Sequence, residues 1–273
     1  SAAGIPQVSY ASTSPALSDA TAYPDFFRVV PSDALQGQAL SAVVQADSPA
    51  DGTVGLVHMT NAYGSGLADA FTADFEAAGN TLCTTIGYEE TMTDFSAAVQ
   101  SMVDNGCTSA VLVSYAADGG MIIDEMNSQS WAGQVYGGDG IAEEGLATEA
   151  TSSVNGVIAT KPASASTGAV GYAFAALCAQ SADCTGGIYT AEAFDGVVLV
   201  ALAAFAQMAS PGATLSQVMM ATGQGLAGAS GDISFMANGD VPGAGYCVGD
   251  FTEDADGVSF DCNRSWDPAN GMS

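Results

Sequence analysis

The stretch Thr53-Val-Gly-Leu-Val-His-Met59 is an apolar, strand-like run. This run and the residues that follow it decide the fold. After a short polar loop, Leu67, Phe71 and Phe75 recur at helical spacing, which predicts an amphipathic helix. The same order of strand and helix is repeated between residues 50 and 160. Strands that alternate with helices require right-handed crossovers and form a parallel, doubly wound sheet. We therefore predict an α/β fold.

The flanks of this block have a different pattern. Residues before it contain one short strand and a helix, and residues 168 to 228 are mainly helical. Within them, the apolar run Gly196 to Met208 is shorter than the ~20 residues of a membrane span and is predicted to be a buried helix. The end of the chain, from Ile233 to Phe260, alternates with period two and contains turn signals such as Asp256-Gly257. We expect the two flanks to fold together as another lobe.

The charge balance excludes some classes of partner. The 273 residues include 30 acidic and only 3 Lys or Arg side chains, which gives a net charge of −27. Such a surface repels phosphate backbones and anionic head groups, so we expect no nucleic-acid partner and no binding to a membrane surface. Hydrophobic residues make up 48% of the chain, which supports a folded core.

The six cysteines are placed for local pairing. Cys247 and Cys262 flank a turn and would lie opposite each other in a hairpin, and Cys178 and Cys184 could close a short loop. Cys83 and Cys107 each begin an apolar run, which predicts that they lie on neighbouring strands of a parallel sheet. These pairs predict three disulfides and an extracytoplasmic location, whereas six free thiols are the alternative.

Polar and aromatic residues follow several of the predicted strands. Ligands bind doubly wound sheets at the carboxyl ends of the strands. Tyr63, Tyr115 and Asp139 each lie just after a strand of the central block, and the loop Ala11-Ser12-Thr13 follows the strand of the first flank. A carboxylate suits an ammonium group, and hydroxyl and backbone N–H groups suit a carboxylate. The alternative is that the tyrosines are core residues and that Asp139 only satisfies a turn.

Enzyme chemistry has little support in the sequence. The chain contains one histidine, His58, in the middle of a strand, and no nucleophile elbow. No Cys-x-x-Cys pair offers a zinc site. We expect a binding protein without catalytic residues, metal or cofactor.

The order of several segments resembles the type I periplasmic binding proteins, specifically the leucine/isoleucine/valine-binding branch that serves ABC transporters. The resemblance covers nearly the whole chain. The segments that carry it are Gly4 to Ser18, Phe27 to Asp33 with Gln36-Gly37, Tyr63 to Ala68, Asp94 to Ser96, Gly137 to Gly140, Ala193 to Gly196, Gly231 to Phe235 and Asn238 to Asp240.

This resemblance implies a two-lobed fold in which each lobe is a doubly wound parallel sheet and a cleft closes on the ligand. Residues 1–48 would form the remainder of lobe 1 and residues 49–163 lobe 2. Residues 164–230 would return to lobe 1, and residues 231–273 would lie largely on lobe 2. The family begins with further strands before Gly4, so lobe 1 would be incomplete unless a further N-terminal fragment or a partner chain completes it.

The resemblance also assigns roles. Ala11, Ser12 and Thr13 would hold the carboxylate of an amino acid or amide, Tyr63 and Tyr115 would line the pocket, and Asp139 would receive the ammonium group. The family commonly has Glu at the position of Asp139. The implied function is an extracytoplasmic receptor that passes its ligand to a membrane ABC permease. A ligand-sensing module of a signalling receptor and a surface structural protein are the alternatives.

Overall fold

The computed structural model describes residues 4–47, 49–163, 168–181, 184, 188–255 and 257–273. The chain divides into two compact units. The first unit comprises Ser1–Ser32 and Pro162–Ala244, and the second comprises Asp33–Lys161 and Gly245–Ser273. The division into lobes by residue range stays a prediction.

Short strands and helices make up most of the described residues. The strands are β1 (Gln7–Ser9), β2 (Phe26–Arg28), β3 (Val54–Met59), β4 (Leu82–Tyr88), β5 (Ser109–Val113), β6 (Gln134–Gly137), β7 (Ile158–Pro162), β8 (Gln224–Ala227), β9 (Asp232–Ser234), β10 (Tyr246–Asp254), β11 (Gly257–Asp267) and β12 (Gly271–Met272). The helices are α1 (Asp33–Ala46), α2 (Ala62–Ala77), α3 (Ser96–Asp104), α4 (Ala116–Ser128), α5 (Gly145–Glu149), α6 (Ala169–Cys178), α7 (Thr190–Ala209) and α8 (Leu215–Thr222). Short 3-10 turns lie at Pro15–Ser18 and Asp139–Ile141.

The main sheet has the strand order β12-β11-β10-β7-β6-β5-β3-β4. The pairs β3–β4, β3–β5, β5–β6 and β6–β7 are parallel, whereas β10–β11 and β11–β12 are antiparallel. The predicted α/β fold with a parallel, doubly wound core is therefore confirmed. Asp256, in the predicted turn between β10 and β11, lies outside the described residues.

Both faces of the parallel sheet are covered, and strand β5 shows how. Its residues Ala110 and Leu112 belong to a core that also contains side chains of α3 and α4, whereas Val111 and Val113 belong to a core with side chains of α1 and α2. Side chains of a strand alternate between the two faces of its sheet, so a strand packed on both faces is apolar throughout.

Helix α1 packs in the second unit. Its residues Leu40, Val43 and Val44 join the core formed with α2, and a Cβ on Gly37 would lie 2.6 Å from Ala70, which shows how closely the two helices approach. The sequence pattern groups this helix with the first flank, because the position of the helix along the chain before β3 does not show which core it joins.

Strand order reverses between β3 and β5. The chain passes from β3 to β4 on one side and then to β5 on the other side of β3. In an open α/β sheet this reversal leaves a crevice at the carboxyl ends of the two strands, where ligands bind. The candidate site lies at this reversal.

The three predicted disulfides are confirmed, but their placement differs from the prediction in two cases. Cys83 and Cys107 have Cα atoms 5.8 Å apart, although β3 lies between their strands. The bridge crosses β3 at Gly55, where a Cβ would lie 3.3 Å from Cys107 Sγ. The expectation that the two strands are neighbours was wrong, since the reversal of strand order separates them.

The other two bridges are local. Cys178 and Cys184 have Cα atoms 5.2 Å apart, and Cys247 and Cys262 have theirs 5.5 Å apart. Cys262 pairs in register with Gly249 rather than with Cys247, because the register of β10 shifts between Val248 and Gly249. The prediction that these two cysteines lie directly opposite each other was therefore wrong.

The first unit contains the parallel pair β1–β2, the antiparallel pair β8–β9 and helices α6 to α8. Its core includes Phe27, Leu199, Val218 and Ile233. The strands that follow α8 thus form a small hairpin whose Ile233 side chain helps to bury the inner face of α7.

Helix α7 differs from the prediction. An 18-residue window of this 20-residue helix has a mean hydropathy of 1.5, so the helix is long and apolar enough to cross a membrane by length and composition alone, and a third of that window is buried. The inner face is packed, but Val197, Phe205 and Met208 are 71%, 76% and 79% exposed. The prediction of a buried helix was therefore wrong for its outer face.

Candidate functional site

The turn from β3 into α2 positions Tyr63. Asn61 caps the helix, and its Oδ1 accepts a hydrogen bond from the Gly64 N–H at 2.8 Å. A Cβ on Gly64 would lie 2.0 Å from the Met59 carbonyl oxygen, so only glycine allows the helix to begin this close to the strand. Tyr63 is thereby fixed at the carboxyl end of β3.

Asp139 lies after β6, at the beginning of a short 3-10 turn, and is 4% exposed. The Tyr63 hydroxyl donates a hydrogen bond to Asp139 Oδ1 at 2.9 Å and accepts one from the Gly140 N–H at 3.1 Å. Tyr63 therefore connects the ends of β3 and β6. Its hydroxyl holds the Asp139 carboxylate on one side and the Gly140 N–H on the other.

Tyr115 follows β5 and stacks on Tyr63, with ring centroids 5.2 Å apart and an angle of 22° between the planes. It is 43% exposed. The Tyr115 N–H donates to Asp118 Oδ1 at 3.1 Å, and the Tyr88 hydroxyl donates to Asp118 and accepts a hydrogen bond from the Ser114 hydroxyl. The backbone of Tyr115 is thus held by Asp118, while the residue stays partly exposed.

The electrostatics of this cluster favour a cation. Burial raises the pKa of Tyr63, and the negative charges of Asp139 and Asp33 raise it further. The hydroxyl therefore stays protonated and remains a donor at neutral pH. The Asp139 carboxylate, which accepts from Tyr63, is the kind of group that pairs with an ammonium group.

Asp33 was missed by reasoning from the sequence. It is fully buried in the first turn of α1. An acidic residue at this position usually lies exposed near the helix N-terminus, where it interacts with the helix dipole. The signal was present in the pattern, however, because Asp33, Gln36 and Leu40 have the spacing of one helix face.

Gln36 extends the same face towards β7. Its Nε2 donates to the carbonyl oxygen and to Oγ1 of Thr160, both at 3.1 Å. Its Oε1 is buried and accepts no hydrogen bond from the described residues. A Cβ on Gly138 would lie 3.0 Å from the Tyr63 hydroxyl and 3.6 Å from Gln36 Nε2, so the amide borders the cluster.

The loop Ala11–Thr13 lies in the first unit. The N–H groups of Ala11 and Ser12 donate to Ser9 Oγ at 3.3 and 2.9 Å, and Thr13 is 3% exposed. The structure thus brings Tyr63, Tyr115 and Asp139 together, as predicted from the strand ends. That Ala11, Ser12 and Thr13 act on the same ligand stays a prediction.

Similar proteins fall into two groups. A leucine-binding protein from Thermotoga maritima has a solved structure that superimposes with a TM-score of 0.82 at 19% identity, covering 94% of this chain and 72% of that one. A stretch of 42 residues is 60% identical to metabotropic glutamate receptor 6 of Oryctolagus cuniculus, receptor 4 of Rattus norvegicus and receptor 8 of Homo sapiens. That stretch is 15% of this chain and 5% of each receptor.

The fold of the leucine-binding protein confirms the type I periplasmic binding protein architecture that the segment order implied. A family model described as the ligand binding region of a receptor family matches residues 1–254. The match spans most of the chain, including Tyr63, Tyr115 and Asp139. The chain therefore belongs to the receptor family ligand binding region.

Proposed function

We propose that this protein captures a small amino-acid-like ligand. The ammonium group would be received by Asp139, which is bonded to the Tyr63 hydroxyl, with Asp33 adding negative charge and the partly exposed Tyr115 beside the ligand. The observation that carries the proposal is the Tyr63–Asp139 hydrogen bond of 2.9 Å, with the Tyr115 ring stacked on that of Tyr63, at the carboxyl ends of the parallel strands. The loop of Ala11, Ser12 and Thr13 would receive the carboxylate through backbone N–H and hydroxyl groups.

The role we favour is that of an extracytoplasmic receptor that passes its ligand to a membrane ABC permease. The structural similarity to a leucine-binding protein supports this role. Three disulfides are in keeping with an oxidising compartment. A chain with a net charge of −27 is poorly suited to nucleic acid.

A second role, as the ligand-sensing module of a signalling receptor, is favoured by a different observation. The stretch at 60% identity belongs to metabotropic glutamate receptors, of which the match covers only 5%. Both roles use the same kind of ligand site, so the site alone does not separate them. If the protein is instead a structural surface protein, it binds no amino acid, and both proposed roles are contradicted.

A further polypeptide segment would complete the first unit. The outer face of α7 exposes Val197, Phe205 and Met208, and a parallel sheet of only β1 and β2 is rarely stable alone. The leucine-binding protein has more chain than is matched here, since the superposition covers 72% of it. We propose that such a segment, from this gene product or from a partner chain, packs on α7.

Calorimetry with a panel of amino acids and amides, including leucine and glutamate, tests the binding function. We expect one class of zwitterion to bind with a 1:1 stoichiometry and its deaminated analogue to bind far more weakly, because the interaction of the ammonium group with two carboxylates would be lost. Absence of a response to the whole panel would contradict the proposal. Co-purification with a permease or with a membrane-anchored signalling domain then separates the two roles.

A further inference from the structure

Arg28, at the end of β2, is fully buried. The sequence places no other Lys or Arg in Ser1–Ser32 or Pro162–Ala244, so this guanidinium is the first unit's single strongly basic side chain. Burying a charge costs free energy unless it is paired and hydrogen-bonded. The position of this one arginine therefore requires an explanation.

The guanidinium holds three successive carbonyl groups of one loop. Arg28 Nη1 lies 3.2, 2.7 and 3.0 Å from the carbonyl oxygens of Ser12, Thr13 and Ser14. Arg28 Nη2 donates to Ser18 Oγ at 2.7 Å. The loop that the sequence assigned to a ligand carboxylate is thus held from its inner side by a single side chain.

Asp240 fixes the arginine in turn. Arg28 Nε donates to Asp240 Oδ1 at 2.6 Å, and Asp240 Oδ2 accepts from Ser18 Oγ at 2.6 Å and from Asn238 Nδ2 at 3.0 Å. The Arg28 N–H also donates to the Gly239 carbonyl at 3.0 Å. The planar guanidinium is therefore held on several edges and has little freedom to rotate.

This arrangement sets the direction of the peptide N–H groups. In a trans peptide the C=O and the following N–H point in opposite directions. Because the carbonyls of Ser12 and Thr13 face Arg28, the N–H groups of Thr13 and Ser14 point away from it. Neither N–H finds an acceptor among the described residues, although both residues are less than a tenth exposed. Backbone N–H groups of residues that are this little exposed are usually paired, so the two donors call for an acceptor.

We propose that Arg28, fixed by Asp240, is a positioning residue that turns the Ser12–Ser14 peptides so that the Thr13 and Ser14 N–H groups bind the carboxylate of the ligand. The inference rests on the proposed function and adds to it the identity of the N–H donors and the indirect role of Arg28. The donors are the N–H groups of Thr13 and Ser14, because those of Ala11 and Ser12 are engaged by Ser9 Oγ. Arg28 acts through the loop and does not touch the ligand.

The test compares each amino acid with its own carboxamide. Arg28→Lys keeps the charge and the pairing with Asp240 but loses the planar group that reaches three carbonyls. Against leucine and leucinamide, or glutamate and its α-amide, we expect Arg28→Lys to weaken binding of the amino acid by about 10-fold and binding of the amide by less than about 2-fold. Ser18→Ala should also weaken binding of the amino acid more than binding of the amide, but by a smaller factor. This variant replaces Arg28→Lys in the test if Arg28→Lys does not fold. Arg264→Lys, on a partly exposed arginine near Asp47 and Asp250, is the matched control.

A purely structural role for Arg28 predicts another result. It would lower the affinities for acid and amide equally, or leave both unchanged, and either outcome overturns the inference. If the wild-type protein binds neither leucine nor glutamate, hydrogen exchange of the ligand-free protein decides instead. Faster exchange at Thr13 and Ser14 in the Ser18→Ala and Arg28→Lys variants, relative to Arg264→Lys, supports the positioning role, and unchanged exchange overturns it independently of the proposed function.

Discussion

Tyr63 and Tyr115 come from different strand ends and stack with centroids 5.2 Å apart. The contact exists because β3 and β5 are adjacent although β4 comes between them in the chain. One of the two rings is tied to Asp139 by its hydroxyl, while the other is exposed. The pair therefore combines a fixed polar group with an accessible apolar surface, as a small-molecule site requires.

Removing the charge of Asp139 should weaken binding without unfolding the protein. Asp139→Asn keeps an acceptor for the Tyr63 hydroxyl but removes the carboxylate that would pair with the ammonium group. We expect the affinity for a bound amino acid to fall by about 30-fold or more, as for loss of a hydrogen bond to a charged group. Isothermal calorimetry measures this. Asp124→Asn, on a carboxylate that instead holds Thr151 and Ser152, is the control and should leave the affinity unchanged.

Much of this site could be predicted from the sequence because it depends on local order. A residue that follows a parallel strand must lie at the ligand-binding edge, whichever strand is its neighbour, so Tyr63, Tyr115 and Asp139 were found. Asp33 was not found: its spacing with Gln36 and Leu40 marks one face of α1, but no local pattern specifies that this face packs in the second unit. The crossing of β3 by the Cys83–Cys107 bridge was missed for a similar reason: strand order is a property of the whole sheet.

Low pH should reduce the contribution of the Arg28–Asp240 pair to stability. Burial alone would raise the pKa of Asp240, but hydrogen bonds from Arg28, Ser18 and Asn238 and the charge of Arg28 outweigh it, so the pKa is lowered. A lowered pKa in the folded state stabilises the protein above the unfolded value of about 3.9 and ceases to do so as the pH falls through the folded value. Urea unfolding of the wild type and Asp240→Asn should show a difference between their free energies of unfolding that becomes smaller below about pH 4. A difference independent of pH would contradict this.

A side chain at position 64 should displace the turn that carries Tyr63. In Gly64→Ala the new Cβ would meet the Met59 carbonyl oxygen at 2.0 Å, and a backbone atom cannot yield as a flexible side chain can. We expect the free energy of unfolding to fall by about 2 kcal/mol or more. Gly212→Ala, where no atom lies within 4 Å of the new Cβ, should change it by less than about 0.5 kcal/mol. Chemical unfolding followed by circular dichroism compares the two, and equal effects would contradict the close approach.

The two faces of α7 should respond differently to substitution. Leu199 is fully buried in the core of the first unit, so Leu199→Ala should cost about 2 to 5 kcal/mol of unfolding free energy. Phe205 is 76% exposed on the outer face, so Phe205→Ser should change it by less than about 0.5 kcal/mol in residues 1–273 alone. The further polypeptide segment that we propose packs on α7 changes only the expectation for Phe205→Ser. In a longer gene product or a complex that carries this segment, Phe205→Ser should become strongly destabilising, whereas an unchanged small effect there would show that nothing packs on the outer face.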